Sequence, residues 1–105
     1  MTTVPPQIRP FHFPTDLLVG SRTRLTCEAR EGDIPLTFHW QLEGKELLPD
    51  IMVTSMDSFS STLSISMVRE EHGGNYICTV QNTGGSDHHS AVLIVNGKYP
   101  PHLPA

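Results

Sequence analysis

The chain has 105 residues and a formal net charge of −4, which is the size of one domain with one core. Its seven basic side chains are scattered, with Arg22 and Arg24 the strongest local pair, too little for a nucleic-acid footprint. No apolar run approaches the ~20 residues of a membrane span, and nothing at the start reads as a secretory leader. No nucleic acid and no membrane insertion by this segment are therefore expected, and residues 1–4 are read as an N-terminal tail.

The first element, "VPPQIRPFHFP", has four prolines in eleven residues. Proline cannot donate to a ladder, so this stretch is expected to be an edge strand broken into two pieces. From Arg22 to Ala29 the pattern alternates, with Thr23, Leu25, Cys27 and Ala29 on one face and Arg22, Arg24, Thr26 and Glu28 on the other. Leu36–Leu42, Ser61–Met67 and Asn75–Gln81 alternate in the same way, and a further strand is expected at about Met52–Met56. The last strand, roughly Ser90–Val95, is apolar on both faces. Between these runs lie turn signals at 31–33, 43–45, 49–50, 72–74 and 83–86. Short half-buried strands with turns between them predict an all-β, two-sheet antiparallel sandwich. The closing "YPPHLPA" resembles the opening "PPQIRP", so residues 98–105 are read as a linker or the start of another copy of the module.

Cys27 and Cys78 lie 51 positions apart. No C-x-x-C pair suggests zinc, and a single bridge closing a large loop fits the count better. In the chain-entropy model it contributes about 4 kcal/mol and implies an oxidising compartment; a reduced buried pair is written with the same letters. Six histidines invite a metal, but His88 and His89 are adjacent and must point to opposite faces of a strand. No nucleophile elbow is present, and Cys78 sits at an inward position where a thiol is inert. The expectation is no catalytic residue, no metal and no cofactor. Asn75, Asn82 and Asn96 are not followed by Ser or Thr at the second position, so no glycan acceptor exists.

Cys27, Trp40 thirteen residues on, and Tyr76-x-Cys78 together resemble immunoglobulin domains. Gly20, Gly44, Leu63-x-Ile65 and Asn82 followed by Gly84-Gly85 point to the intermediate-set subtype. The resemblance covers about residues 5–96 and implies a domain at 5–97 with sheets ABED and A′GFC. It also implies a bridge between strands B and F, a tryptophan packed on it, and Tyr76 bonding the preceding corner near residues 70–73. Trp40, Tyr76, Leu25, Leu63 and Leu93 are the expected core scaffold. One position departs from the pattern: the family places Asp six residues before the second cysteine, and here that residue is His72. A neutral imidazole is not expected to replace the carboxylate in an ion pair or turn bond, leaving Glu70 or Glu71 to take over.

The opening P-P-x-I-x-P-F-x-F, the basic residues before Cys27 and the run "GDIPLTFHW" resemble arthropod Down syndrome cell adhesion molecule family domains. The likeness is to their variable domains, including the N-terminal domain of the shortened chelicerate forms. It implies an extracellular module, on the outer side of the plasma membrane, that pairs antiparallel with an identical copy on an apposed cell. Neighbouring immunoglobulin domains of the same chain are the other expected partners. The candidate interface is the outward ABED face: Arg22, Arg24, Thr26, Glu28, Met52, Thr54, Met56, Thr62, Ser64 and Ser66, with Val53 and Ser55 the alternative to Met52, Thr54 and Met56, and with Glu28, Asp50 and Asp57 as acceptors at its rim. The opposite face, through Ile77, Val92 and Ile94, is the more apolar one. A structural spacer in a tandem array and a heterophilic receptor domain are the alternatives.

Overall fold

The computed structural model describes residues 2–96. Among the described residues, seven strands form two antiparallel sheets. They are β1 (Gln7–Ile8), β2 (Thr23–Glu31), β3 (Thr37–Leu42), β4 (Ile51–Asp57), β5 (Ser60–Ile65), β6 (Gly74–Asn82) and β7 (Gly85–Leu93). One sheet has the order β1-β2-β5-β4 and the other β3-β6-β7, which is the two-sheet sandwich that the alternation predicts. Leu25, Cys27 and Ala29 of β2 face Trp40 and Leu42 of β3, Tyr76, Cys78 and Val80 of β6, and Ala91 and Leu93 of β7 across one core.

Two ties cross between the sheets at the same level. Cys27 and Cys78 form a disulfide, and the Trp40 indole N–H donates to Ser61 Oγ at 3.0 Å. Cys27 is the cross-strand partner of Ser61, and Trp40 of Cys78. Of the proline-rich stretch only one short piece is strand, and the second attachment comes after it. Gln7 and Ile8 pair with β2, while Leu18 bridges Asn96 in parallel, beyond the end of β7. Ahead of β1, Val4 bonds Asp33 and Asn82. A side chain at Gly84 would meet the Thr3 carbonyl at 2.5 Å, so the chain can lie here only against glycine.

The boundaries of three strands differ from the sequence expectation; β2 runs on past Ala29 to Glu31. β7 begins at Gly85, not near Ser90, because the Asn82 Oδ1 accepts the N–H groups of Gly84 and Gly85 at 2.8 and 3.1 Å. That side chain closes a turn of only Thr83 and Gly84, so pairing resumes at once. His88 and His89 consequently lie on a strand and point to opposite faces; the His89 ring meets the Phe11 carbonyl at 3.1 Å. β5 stops at Ile65, leaving Ser66 and Met67 outside the ladder. Residues 98–105, read as a linker, lie outside the described residues.

The corner before β6 corrects a second expectation. A single 3₁₀ turn spans Glu70–His72, and His72 is fully buried. Its Nδ1 accepts the Arg69 N–H at 2.7 Å, so the imidazole does make a turn bond in the place of the family's carboxylate. With Nδ1 accepting, Nε2 carries the proton and faces both Asp50 oxygens at 3.2 Å. The acid is supplied from 22 residues away, and Arg69 completes the cluster by pairing with Asp50 at 2.9 Å and with Glu71. The Tyr76 hydroxyl donates to the His72 carbonyl at 2.6 Å.

Tyr76→Phe leaves that buried carbonyl without its donor, a loss of about 1–3 kcal/mol, or several degrees in Tm for a domain of this size. Burial, with Asp50 adding a smaller effect, pushes the Tyr76 hydroxyl up to about 12. A folded value above the unfolded one, near 10, means stability held below pH ~10 and lost as pH rises toward 12. Thermal melts followed by circular dichroism are expected to show that alkaline limb in the native chain and a flatter one in Tyr76→Phe. Asp50 behaves oppositely: the hydrogen bond from Arg69, with His72 adding to it, holds its carboxyl below the usual range. Its contribution is present above pH ~4 and lost as pH falls below that. Asp50→Asn is expected to flatten the acid limb of the same melts, with under about 1 kcal/mol lost at neutral pH because the pair is half exposed.

Candidate functional site

The register of β2, β5 and β4 sorts the outward residues of the larger sheet into rows. Thr26, Thr62 and Thr54 form one row, and Arg24, Ser64 and Met52 the next. Glu28, Ser60 and Asp57 form a row on the other side of the threonines. Arg22 precedes β2 and Ser66 follows β5, both exposed, so they extend the face past the end of the ladder. Met52 and Thr54 therefore lie on the same face as Arg24 and Thr26, while Val53 and Ser55 turn to the other side of β4.

Two of the ten candidate residues sit differently from a regular strand face. Met56 falls in the irregularity between Ser55 and Asp57 and has no cross-strand partner, though it is 59% exposed. Thr62 points outward but is only 9% exposed. Its neighbours cover it, and its hydroxyl meets the Thr26 hydroxyl at 3.1 Å. The row's accessible groups are thus Thr26 and Thr54, with Thr62 as their support.

Charge is distributed unevenly over this face. Among the described residues, Arg22 and Arg24 have no ion-pair partner. The three rim acids are all engaged. Asp50 is held by Arg69 and His72. Asp57 Oδ1 accepts the Phe59 N–H at 2.8 Å and the Ser60 hydroxyl at 3.0 Å, closing the turn between β4 and β5. Glu28 lies 3.4 Å from Arg9, with both side chains about half exposed. The sequence showed where these acids stand along the chain but not what they bind, since each partner comes from a loop or another strand.

The outward face of the smaller sheet is built from β3, β6 and β7. His39, Thr79 and His88 share one row, and Gln41, Ile77 and Ser90 the next. Val92 and Ile94 are exposed at its edge. Among the described residues no group of three or more metal-ligating side chains converges, and no helix is long and apolar enough to cross a membrane.

The comparisons agree with this architecture. The immunoglobulin domain family model matches residues 14–91. Over 93% of its length the chain is 41% identical to the cell adhesion molecule Dscam2 of Drosophila melanogaster. It is 37% identical over the same share to the cell adhesion molecule DSCAM of Homo sapiens. The chain spans 5% of the length of each. The solved Dscam1 Ig7 domain, isoform 5, is 30% identical with a TM-score of 0.82, over 88% of this chain and 97% of that one. The chain belongs to the immunoglobulin domain family, and among its relatives are the Ig domains of the Dscam cell adhesion molecules.

Proposed function

We propose that this domain is a cell-surface recognition module that pairs with an identical copy on an apposed cell through the outward face of β1, β2, β5 and β4. The observation that carries the reading is the placement of Arg24 and Glu28 on either side of Thr26, on one face of one strand. A two-fold contact requires that residue i meet j while j meets i. Two β2 strands crossed antiparallel at Thr26 bring Arg24 of each copy to Glu28 of the other.

The charges and side-chain sizes suit that arrangement. Glu28 is the one rim acid whose present partner is exchangeable, because a half-exposed pair with Arg9 is worth under about 1 kcal/mol. Asp50 and Asp57 are committed to the corner and the turn. Thr26, Thr54 and Ser64 are small, so two such faces can approach closely. Opposed charges of this kind set register and exclude mismatched partners more than they add affinity. The family relatives are named as cell adhesion molecules, and the Cys27–Cys78 bridge fits an oxidising, extracellular setting. Neighbouring domains of the same chain would set how this face is presented.

Charge exchange tests the reading. Arg24→Glu alone and Glu28→Arg alone are each expected to lower self-association at least about tenfold in sedimentation and to abolish bead aggregation. Mixing the two variants restores both contacts. The acid introduced at position 24 of one meets the base introduced at position 28 of the other, and the unchanged Glu28 of the first meets the unchanged Arg24 of the second. The mixture is therefore expected to aggregate where neither variant does alone. A wild-type domain that stays monomeric to hundreds of micromolar, with beads that never cluster, would leave a spacer role in a tandem array as the better account.

A further inference from the structure

β4 is the outer strand of its sheet, and ahead of the irregularity after Ser55 it carries neither the proline nor the charge that normally blunt an edge. Its residues Ile51–Asp57 contain no proline and no charge before Asp57. Met52 and Val53 are 65 and 47% exposed. The sheet's other edge, β1, has only two paired residues set among prolines.

Which backbone groups of β4 are open follows from one bond. The Ala29 N–H donates to the Phe59 carbonyl at 2.9 Å, and in an antiparallel ladder the hydrogen-bonded pairs recur at every second residue. Cys27–Ser61 and Leu25–Leu63 are therefore the bonded pairs of β2 and β5. Ser60, Thr62 and Ser64 turn their N–H and C=O groups the other way, toward Asp57, Thr54 and Met52. Val53 and Ser55 then point theirs away from β5, out of the sheet. Among the described residues, no turn or loop contact takes them up.

We propose that β4 pairs edge to edge with β4 of a second copy, antiparallel about a two-fold axis at Thr54. That axis sets Val53 of each strand opposite Ser55 of the other. Both pairs exchange their N–H and C=O groups, so the open donors and acceptors of Val53 and Ser55 on both strands are all used. An axis at Val53 does worse, because it matches Ser55 with Ile51, whose N–H is already given to Leu48 at 3.0 Å. No charge lies between Ile51 and Met56, so no like charges meet across the seam. The irregularity after Ser55 ends the pairing there and confines the contact to this stretch.

The joined sheets run β1-β2-β5-β4-β4-β5-β2-β1, with both outward faces on the same side. Arg24, Thr26 and Glu28 remain uncovered, so the edge contact stands independently of the face-to-face pairing. A seam of this size buries less than the ~1,000 Å² of a stable dimer. It gains strength where many copies are confined together, as on one surface.

Amide exchange followed by NMR reads the seam directly. The Val53 and Ser55 amides are expected to exchange at least about tenfold more slowly at millimolar than at micromolar concentration, while other exposed amides do not change. Ser55→Pro removes an outward donor without touching the β5 ladder, and Ser55→Lys keeps the donor but sets a charge on the edge. Both are expected to abolish the protection of Val53, which Arg24→Glu leaves intact; placed on the Arg24→Glu background, both are also expected to remove the dimer that remains in sedimentation. Equal exchange of Val53 and Ser55 at the two concentrations overturns the proposal. So does a folded Arg24→Glu, Ser55→Lys double variant that dimerises as strongly as Arg24→Glu alone, whatever Arg24→Glu and Glu28→Arg show about the face.

Discussion

The structure depends on a rectangle of four residues at one level of the sandwich. Cys27 and Ser61 are cross-strand partners in one sheet, and Trp40 and Cys78 are partners in the other. The disulfide joins one pair of corners, and the indole N–H bond to Ser61 joins the other. Either tie alone would leave one sheet able to pivot against the other about a single point. Together they fix both registers, and a one-residue slip in a strand would turn its whole buried set outward. The placement of Arg24, Thr26 and Glu28 on the solvent side of β2 is the same constraint seen from the other face.

Around that rectangle, the buried side chains of Ser61 and His72 are satisfied by partners from other strands and turns. Ser61 could not lie buried without an accepting role, and Trp40 supplies the donor. His72 is a sharper case, since a fully buried imidazole must place both nitrogens. One accepts from the backbone of its own turn and the other donates to Asp50. The corner thereby exchanges a carboxylate for an imidazole, and the acid is carried by the segment leading into β4. The same substitution withdraws Asp50 from the rim of the outward face, which is why Glu28 is the acid left to meet a partner's arginine.

Much of this was legible in the letters. Alternation in β2, β3, β5 and β6 pointed to the sandwich, and Cys27, Trp40, Tyr76 and Cys78 carried the family resemblance. What was not legible depended on pairs distant in sequence or on a side chain replacing backbone bonds. The early start of β7 hangs on Asn82 closing a two-residue turn, whereas "TGGS" reads as a longer loop. The concealment of Thr62 requires Thr26 beside it, 36 positions away. The occupied carboxylates of Asp50 and Glu28 required Arg69 and Arg9, which no local pattern connects to them.

The least legible feature is the direction of each backbone group along β4. Side-chain alternation and hydrogen-bond alternation share the same period, so the residues that face the core side of an edge strand are also the ones whose amides face either the neighbour or the solvent. In β4 the letters leave both parities open, since Met52, Thr54 and Met56 or Val53 and Ser55 could face outward; the register with β5 resolves the first, and a bond such as Ala29 to Phe59 the second. Here the resolution sends Met52 and Thr54 to the outward face with their amides spent on β5, and sends Val53 and Ser55 to the edge with theirs open. One strand therefore divides its capacities between alternate residues, side chains for a partner above the sheet and backbone for a partner beside it. Neither contact has to displace the other.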